Sequence, residues 1–353
     1  MTISQARGAN ATNAIGARND HVRSLLLMII AYRSNGESMV LPVDQQLQTL
    51  PADVVWLDLA HPTREEDHYA QALTGIEVPT REDLRDIEPS SRLYTEGRAH
   101  YMTASLLCHA NTATPRLADI AFVLTDKHLV TVRYDEPKSF KLYAAALGRM
   151  SNGASAPHVT LIKLMETISD RTAEILEQAE MKGEALLLAI FGDGDEPVKR
   201  RPPRFLENLL SSIGHHHRLI SKARDSMASL SRLMTFLSGV PVVQADADAK
   251  ALSLSVTHDL QTLSEHAAFI SSNITFLLDA SLGLINVEQN AIIKIFSIAS
   301  VVLLPPTLIA SIYGMNFRFM PELEWTWGYP AAIIMMIVSA VIPFFFFRWK
   351  GWL

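Results

Sequence analysis

From Asp246 to Ile312 the only glycine is Gly283 and the only prolines are the pair Pro305-Pro306. A single helix over that span would be about 100 Å long. Leu252, Val256, Leu260, Leu263, Ala267, Ile270, Ile274 and Leu277 recur every three or four residues, the seam of a helix packed along its length. No compact domain needs a helix of that length, whereas a stalk that leads into a membrane does.

The stalk runs into a span of membrane length. Ile292 to Ile312 is apolar apart from Lys294 and a few hydroxyls, and Tyr329 to Phe347 is a second such run, ending in Phe344 to Phe347. Lys294 at the start of the first run, and Arg348 and Lys350 after the second, put both basic ends on the cytoplasmic side. Both termini are then inside, and residues 313–328 face the other compartment. Trp325, Trp327 and Tyr329 sit where interfacial aromatics belong.

Upstream the pattern differs. Residues 1–21 hold no apolar run and read as a disordered cytosolic tail without a signal peptide. The seven-residue run Leu25 to Ala31 is too short to cross about 30 Å of hydrocarbon. Ser24–Tyr32, Val54–Leu59, His100–Cys108, Asp119–Thr125 and His128–Arg133 read as strands. Thr63 with Glu66, and Thr80 with Asp83, have capping-box spacing at helix starts. Residues 22–150 therefore predict a cytosolic α/β domain. Residues 151–245 predict a helical hairpin, His158–Phe191 and Arg204–Leu237 joined by the breaker-rich loop Gly192–Pro203. Stalk 246–291, first span 292–312, outer loop 313–328, second span 329–347 and basic end 348–353 complete the organisation. The class is α+β, an α/β sandwich plus long helices with a two-helix membrane region.

Composition excludes several functions. A net charge of −6 gives no basic field for nucleic acid, and the single Cys108 excludes a disulfide framework or cysteine-rich metal cluster. No nucleotide-binding glycine loop and no acid–base or nucleophile constellation of an enzyme is present.

One face of the long helix carries Asp279, Gly283, Asn286, Asn290, Ile293, Ser297, Ser300, Leu304, Thr307 and Ser311, and the chain then reaches Asn316. In lipid, unsatisfied amides and hydroxyls would cost about a few kcal/mol each. Ser297 and Ser300 alone are explained by helix packing or by bonding back to their own helix. Asp279, Asn290, Thr307 and Asn316 on one line are explained more economically by a water-accessible path. Two spans cannot enclose such a path, so several copies must close a ring. From Lys294 to Arg348 the only carboxylates are Glu322 and Glu324 in the outer loop. Selection would therefore rest on neutral oxygens, which suit a hydrated Mg²⁺ that sheds its waters reluctantly, with Asp279 as a carboxylate ring near the inner mouth.

Tyr313-Gly314-Met315-Asn316 resembles the CorA family of magnesium channels, whose signature is Gly-Met-Asn after a first span. Gln289-Asn290, Pro305-Pro306-Thr307 and Met320-Pro321-Glu322-Leu323 stand at family positions, and Val55-Trp56-Leu57-Asp58-Leu59 and Asp83-Leu84-Arg85-Asp86-Ile87 also look like the family. The resemblance implies a funnel-shaped homopentamer in the inner membrane, with Mg²⁺ both transported and regulatory, and Co²⁺, Ni²⁺ or Zn²⁺ as further candidate ions. It implies an outer selectivity ring at Asn316 and the backbone around Gly314, with Thr307, Asn290 and Asp279 further in. It also implies cytosolic Mg²⁺ sensing at acidic sites between subunits. Asp86 matches one such position; its usual stalk partner falls near Ser255, which is not acidic, and Asp259 is the neighbouring carboxylate. The zinc-moving ZntB relatives share the signature, and the Met-Pro-Glu-Leu loop looks more like the magnesium branch. A reading from another class is a membrane-anchored scaffold.

His215, His216 and His217 point about 100° apart on a helix and cannot converge on one ion, so an exposed polar turn is expected. Asp193 and Asp195 read as a hairpin tip. Lys199, Arg200, Arg201 and Arg204 read as a solvated turn, with anionic headgroups as an alternative partner.

Overall fold

The computed structural model describes residues 28–41, 49–85, 92–149, 156–192, 204–316, 318, 320, 321 and 324–352. The N-terminal tail, Ser24 to Leu27, Asp193, Asp195 and the Lys199–Arg201 cluster lie outside them. The chain divides into two compact units, Met1–Arg201 with Asn208–Leu277, and Pro202–Glu207 with Leu278–Leu353.

The first unit is built on a seven-stranded sheet. Its strands are β1 (Met28–Arg33), β2 (Ser38–Leu41), β3 (Val54–Ala60), β4 (Leu93–Glu96), β5 (Ala99–Cys108), β6 (Arg116–Leu124) and β7 (Leu129–Arg133), in the order β2-β1-β3-β7-β6-β5-β4. All neighbours are antiparallel except β3 and β7. The short edge strands β2 and β4 were not predicted. Only Leu41 of β2 and no residue of β4 is fully buried, so neither carries an alternating pattern.

The parallel β3–β7 pair is locked by its polar residues. Asp58 lies in a strand that is otherwise apolar and almost wholly buried. An isolated carboxylate there would be strongly unfavourable. It is held by Arg133, whose Nε and Nη2 donate to it at 2.9–3.1 Å, and by the Thr131 hydroxyl at 2.8 Å. Trp56 Nε1 donates to the same Thr131 oxygen at 3.0 Å, and the Trp56 ring stacks on Tyr32 at 4.3 Å. Asp58 faces Thr131 across the ladder, so the network fixes register as well as charge.

Helices surround the sheet. α1 (Arg64–Thr74) opens with the predicted box, Thr63 N–H donating to Glu66 at 2.8 Å and Glu66 N–H to Thr63 Oγ1 at 3.3 Å. Thr80 and Asp83 exchange equivalent bonds at the start of a 3-10 turn, Asp83–Arg85. α2 (Lys138–Leu147) is followed by α3 (Pro157–Phe191) and α4 (Phe205–Ser238), the two long helices expected. β4 leaves the outer edge of β5 uncovered beyond Met102. There the amides of Ser105 and Leu107 donate to Ser229 and Ser226 of α4, at 3.0 and 3.2 Å. Helix hydroxyls thus finish the strand edge that β4 is too short to pair.

After the short α5 (Pro241–Ala245) comes α6, one helix from Ala247 to Tyr313 that continues through both prolines. Along its first half the seam residues Val256, Leu260, Ala267, Ile270, Ile274 and Leu277 are buried within the same chain. α7 (Gly328–Trp349) is the second apolar helix. The three histidines correct an expectation: they lie in the middle of α4, not in a turn, and His216 is buried. Ile213, His216 and Ile220 follow one another at helical spacing, which puts the middle histidine on the packed face.

Removing one partner of the buried pair isolates the other charge. Asp58→Ala is expected to destabilise the first unit by about 3–5 kcal/mol. Urea unfolding followed by near-ultraviolet circular dichroism checks this, and a loss no larger than that of the exposed control Glu37→Ala contradicts it.

Candidate functional site

The second half of α6 presents the polar line. Asp279, Gly283, Asn286, Asn290, Ser297, Ser300, Thr307 and Ser311 are all exposed in the chain, as are Ile293 (60%) and Leu304 (64%) on the same face. At 100° per residue these ten positions fall within about 120° of arc.

The hydroxyls and the amides on this line behave differently. Ser300 donates to the Phe296 carbonyl at 2.9 Å, Thr307 to Leu303 at 2.7 Å and Ser311 to Thr307 at 2.8 Å. Each proton is satisfied by the helix itself, as the packing explanation of Ser300 allows, while the oxygen lone pairs stay available. Asn286 and Asn290 have no hydrogen-bond partner among the described residues, nor has the Asp279 carboxylate. Ser300, Leu303, Leu304, Thr307, Leu308 and Ser311 line a shallow open groove. Pro305 and Pro306 lack an amide hydrogen, so the Val301 and Val302 carbonyls lose their α-helical donors inside the span.

Tyr313 ends α6, and Gly314, Met315 and Asn316 follow it. Gly314 N–H donates to Ala310 at 2.9 Å and Met315 N–H to Ile312 at 3.2 Å, which closes the last turn. A Cβ on Gly314 would stand 3.1 Å from the Ala310 carbonyl oxygen. Any side chain there would push on that carbonyl, so the turn favours glycine. Asn316 is exposed and without a partner among the described residues. In the loop Glu324 is exposed, whereas Glu322 lies outside the described residues.

Two helices, α6 and α7, are long and apolar enough to cross a membrane. Their large side chains are mostly exposed, for example Ile295 (67%) and Phe296 (70%). Trp325, Trp327 and Tyr329 stand exposed at the start of α7, and Trp349 and Trp352 at its end. The second aromatic group was not anticipated; its signal was tryptophan interleaved with Arg348 and Lys350. Lys294 Nζ lies 5.8 Å from the centre of the Trp352 ring, so the start of the first span and the end of the second are neighbours.

Of the two residues expected to sense cytosolic metal, Asp86 lies outside the described residues. Asp259 is exposed on α6 and close enough to Glu166 and Asp170 of α3 to act on both electrostatically. Burial, then neighbouring carboxylates, pushes Glu166 and Asp170 above the usual carboxyl range. These two were missed, although an acidic pair four residues apart on a helix is visible in sequence. Among the described residues no three His, Cys, Asp or Glu side chains of one chain are grouped to hold a metal ion.

Comparison with known proteins gives a consistent result. Residues 51–349 match the family described as CorA-like Mg²⁺ transporter protein. A relative from Sodalis glossinidius, the magnesium transport protein CorA, is 35% identical over 318 residues, covering 88% of this chain and 96% of that protein. The Escherichia coli K12 protein of the same name is 33% identical over 308 residues, with 85% and 92% covered. The CorA magnesium transporter of Methanocaldococcus jannaschii has the same fold, with a TM-score of 0.69 at 18% identity over 93% of this chain and 99% of that one. The cytoplasmic domain of ZntB from Vibrio parahaemolyticus matches with a TM-score of 0.53 at 8% identity, over 73% and 98%. With its signature tripeptide at the end of the first of two apolar helices, this chain belongs to the family of CorA-like Mg²⁺ transporter proteins.

Proposed function

We propose that the chain is one subunit of a passive, Mg²⁺-conducting homopentamer of the inner membrane, with both termini cytosolic and gated by cytosolic Mg²⁺. The observation that carries this reading is the line from Asp279 to Asn316, rich in oxygen ligands and uncovered within a single chain. Five copies of that face turned inward give a tube lined by amides, hydroxyls and two apolar rings, at Ile293 and Leu304.

Tyr313, Gly314, Met315 and Asn316 form the outer filter. Gly314 permits the tight final turn, and the Asn316 amide oxygens touch the ion's water shell without stripping it. Thr307 and Ser311 offer lone pairs below, with their protons held by the helix. Ser300, Ser297 and Asn290 continue the line to the Asp279 carboxylates, which concentrate cations at the inner mouth. Ile293 and Leu304 are the constrictions that close by dewetting. A potential of 100 mV, inside negative, drives a divalent ion inward by about 4.6 kcal/mol.

Gating rests on Asp259, which acts electrostatically on Glu166 and Asp170, together with Asp86. The raised carboxyls have a definite sign. A folded-state pKa above the unfolded value destabilises the metal-free protein as pH rises through the carboxyl range. Bound Mg²⁺ removes that repulsion.

Three outcomes follow. In potential-driven liposomes, Mg²⁺ influx through the unaltered protein is expected, and Asn316→Ala should reduce it by about tenfold or more. Unchanged flux and selectivity would remove the filter assignment, and no flux in the unaltered protein would leave a scaffold. Mg²⁺ should raise the thermal melting temperature at pH 7 and progressively less as pH falls into the raised carboxyl range. Asp259→Asn should abolish most of that gain, and a pH-independent gain retained in the variant would contradict the sensor. With Cys108→Ser as background, Glu324→Cys should react with a membrane-impermeant maleimide on intact cells and Lys350→Cys only after permeabilisation. The reverse pattern would invert the topology.

A further inference from the structure

Within the first unit, the end of β5 and helices α2 and α3 border an open cavity of about 230 Å³. Asn111, Thr112, Lys138, Ser139 and Arg171 are among the residues that line it. The loop that leads into α2 is anchored by the buried Asp58–Arg133 pair, since Arg133 Nη1 also donates to the Asp135 carbonyl at 3.0 Å. Glu136 N–H donates to Asp135 Oδ1 at 2.9 Å, Pro137 has no amide hydrogen, and Phe140 N–H donates to the Pro137 carbonyl at 3.1 Å. The amides of Lys138 and Ser139 have no acceptor among the described residues. Pro137 stands at the N-cap without a side-chain oxygen, and the first turn of α2 contains no acid. α1, by contrast, opens with a capping box and three acidic residues. The positive end of the α2 dipole is left uncompensated.

Ser139 adds its side chain to these amides. The residue is 4% exposed, and its hydroxyl has no partner among the described residues yet keeps accessible surface in the cavity. Arg171 of α3 has a side chain 12% exposed. Its Nη1 pairs with Glu174, while Nε and Nη2 have no acceptor among the described residues. Glu136 is the one carboxylate among the lining residues, and it is paired with Lys141.

We propose that this cavity binds a phosphate group, either free orthophosphate or the head of a small phosphomonoester. Its oxygens accept from the amides of Lys138 and Ser139, the Ser139 hydroxyl and the Arg171 guanidinium. A helix N-terminus beside a guanidinium suits a tetrahedral oxyanion. Water would satisfy the protons but leave Lys138 and the helix end without a counter-charge. The volume lies below the roughly 300–1,000 Å³ of sites for drug-sized ligands, which limits the body to a few carbons.

Isothermal titration calorimetry of the full-length protein in detergent tests the assignment, in a chloride buffer free of Mg²⁺, phosphate and sulfate. The probes are inorganic phosphate and glycerol 3-phosphate. Saturable binding of one probe per chain is expected. Comparable or tighter binding of the ester identifies an esterified ligand, and binding weaker by about tenfold or more identifies free phosphate. Arg171→Gln and Ser139→Ala should each weaken the better probe by about tenfold. Ser139→Asp should abolish binding without lowering the melting temperature, because its own carboxylate takes the place of the anion at the helix end. No saturable heat from either probe on the unaltered protein overturns the proposal. Affinity unchanged in both Arg171→Gln and Ser139→Ala overturns it as well.

Discussion

The second half of α6 is governed by the cost of leaving a polar side chain in hydrocarbon. A helix satisfies its own backbone and, through back-bonding, its serine and threonine protons. It cannot satisfy an asparagine amide or an aspartate. Asn286, Asn290 and Asp279 stand on the stalk side of Ile292, where water can satisfy them, and the line continues from them into the span through Ser297, Ser300, Thr307 and Ser311. Lipid would serve the neighbouring Ile295 and Phe296 but not this line.

The same helix shows the contrast along its own length. From Val256 to Leu277 the apolar seam is buried by residues of its own chain, and periodic hydrophobicity there means ordinary packing. Beyond Leu278 most large side chains are exposed and the periodic feature is the polar line. One face wants water and the rest wants hydrocarbon. A ring of copies with lipid outside it meets both demands, and that closure reconciles the composition of the span with its exposure. The signature residues follow from the end of the helix: Gly314 fits the closing turn, and Asn316 is left free just beyond it.

Much of this was legible in the sequence. The long helix, both spans, the hairpin helices and the five interior strands came from periodicity and breakers, because each buries a face long enough to show its period. β2 and β4 were not legible, since four-residue edge strands with at most one buried residue show no alternation. The Asp58 network was hidden because a carboxylate inside an apolar strand gives no sign of an arginine seventy-five residues away. His216 was misread because three histidines in a row suggested polarity. The phase from Ile213 to Ile220 already placed the middle one inside. The polar line was legible as composition, but only the structure separates its self-satisfied hydroxyls from its unpartnered amides.

The central claim is that this line meets water inside an assembly. Cys108 is buried, with its thiol pushed up to about 12, so single cysteines introduced elsewhere can be probed in the native background. Thr307→Cys and Asn290→Cys, tested with a charged aqueous methanethiosulfonate on the assembled protein in bilayers, should both react. Ile295→Cys, on the opposite side of α6, should not. Protection of Thr307→Cys and Asn290→Cys in the presence and absence of Mg²⁺ would place the line against protein or lipid and contradict the account.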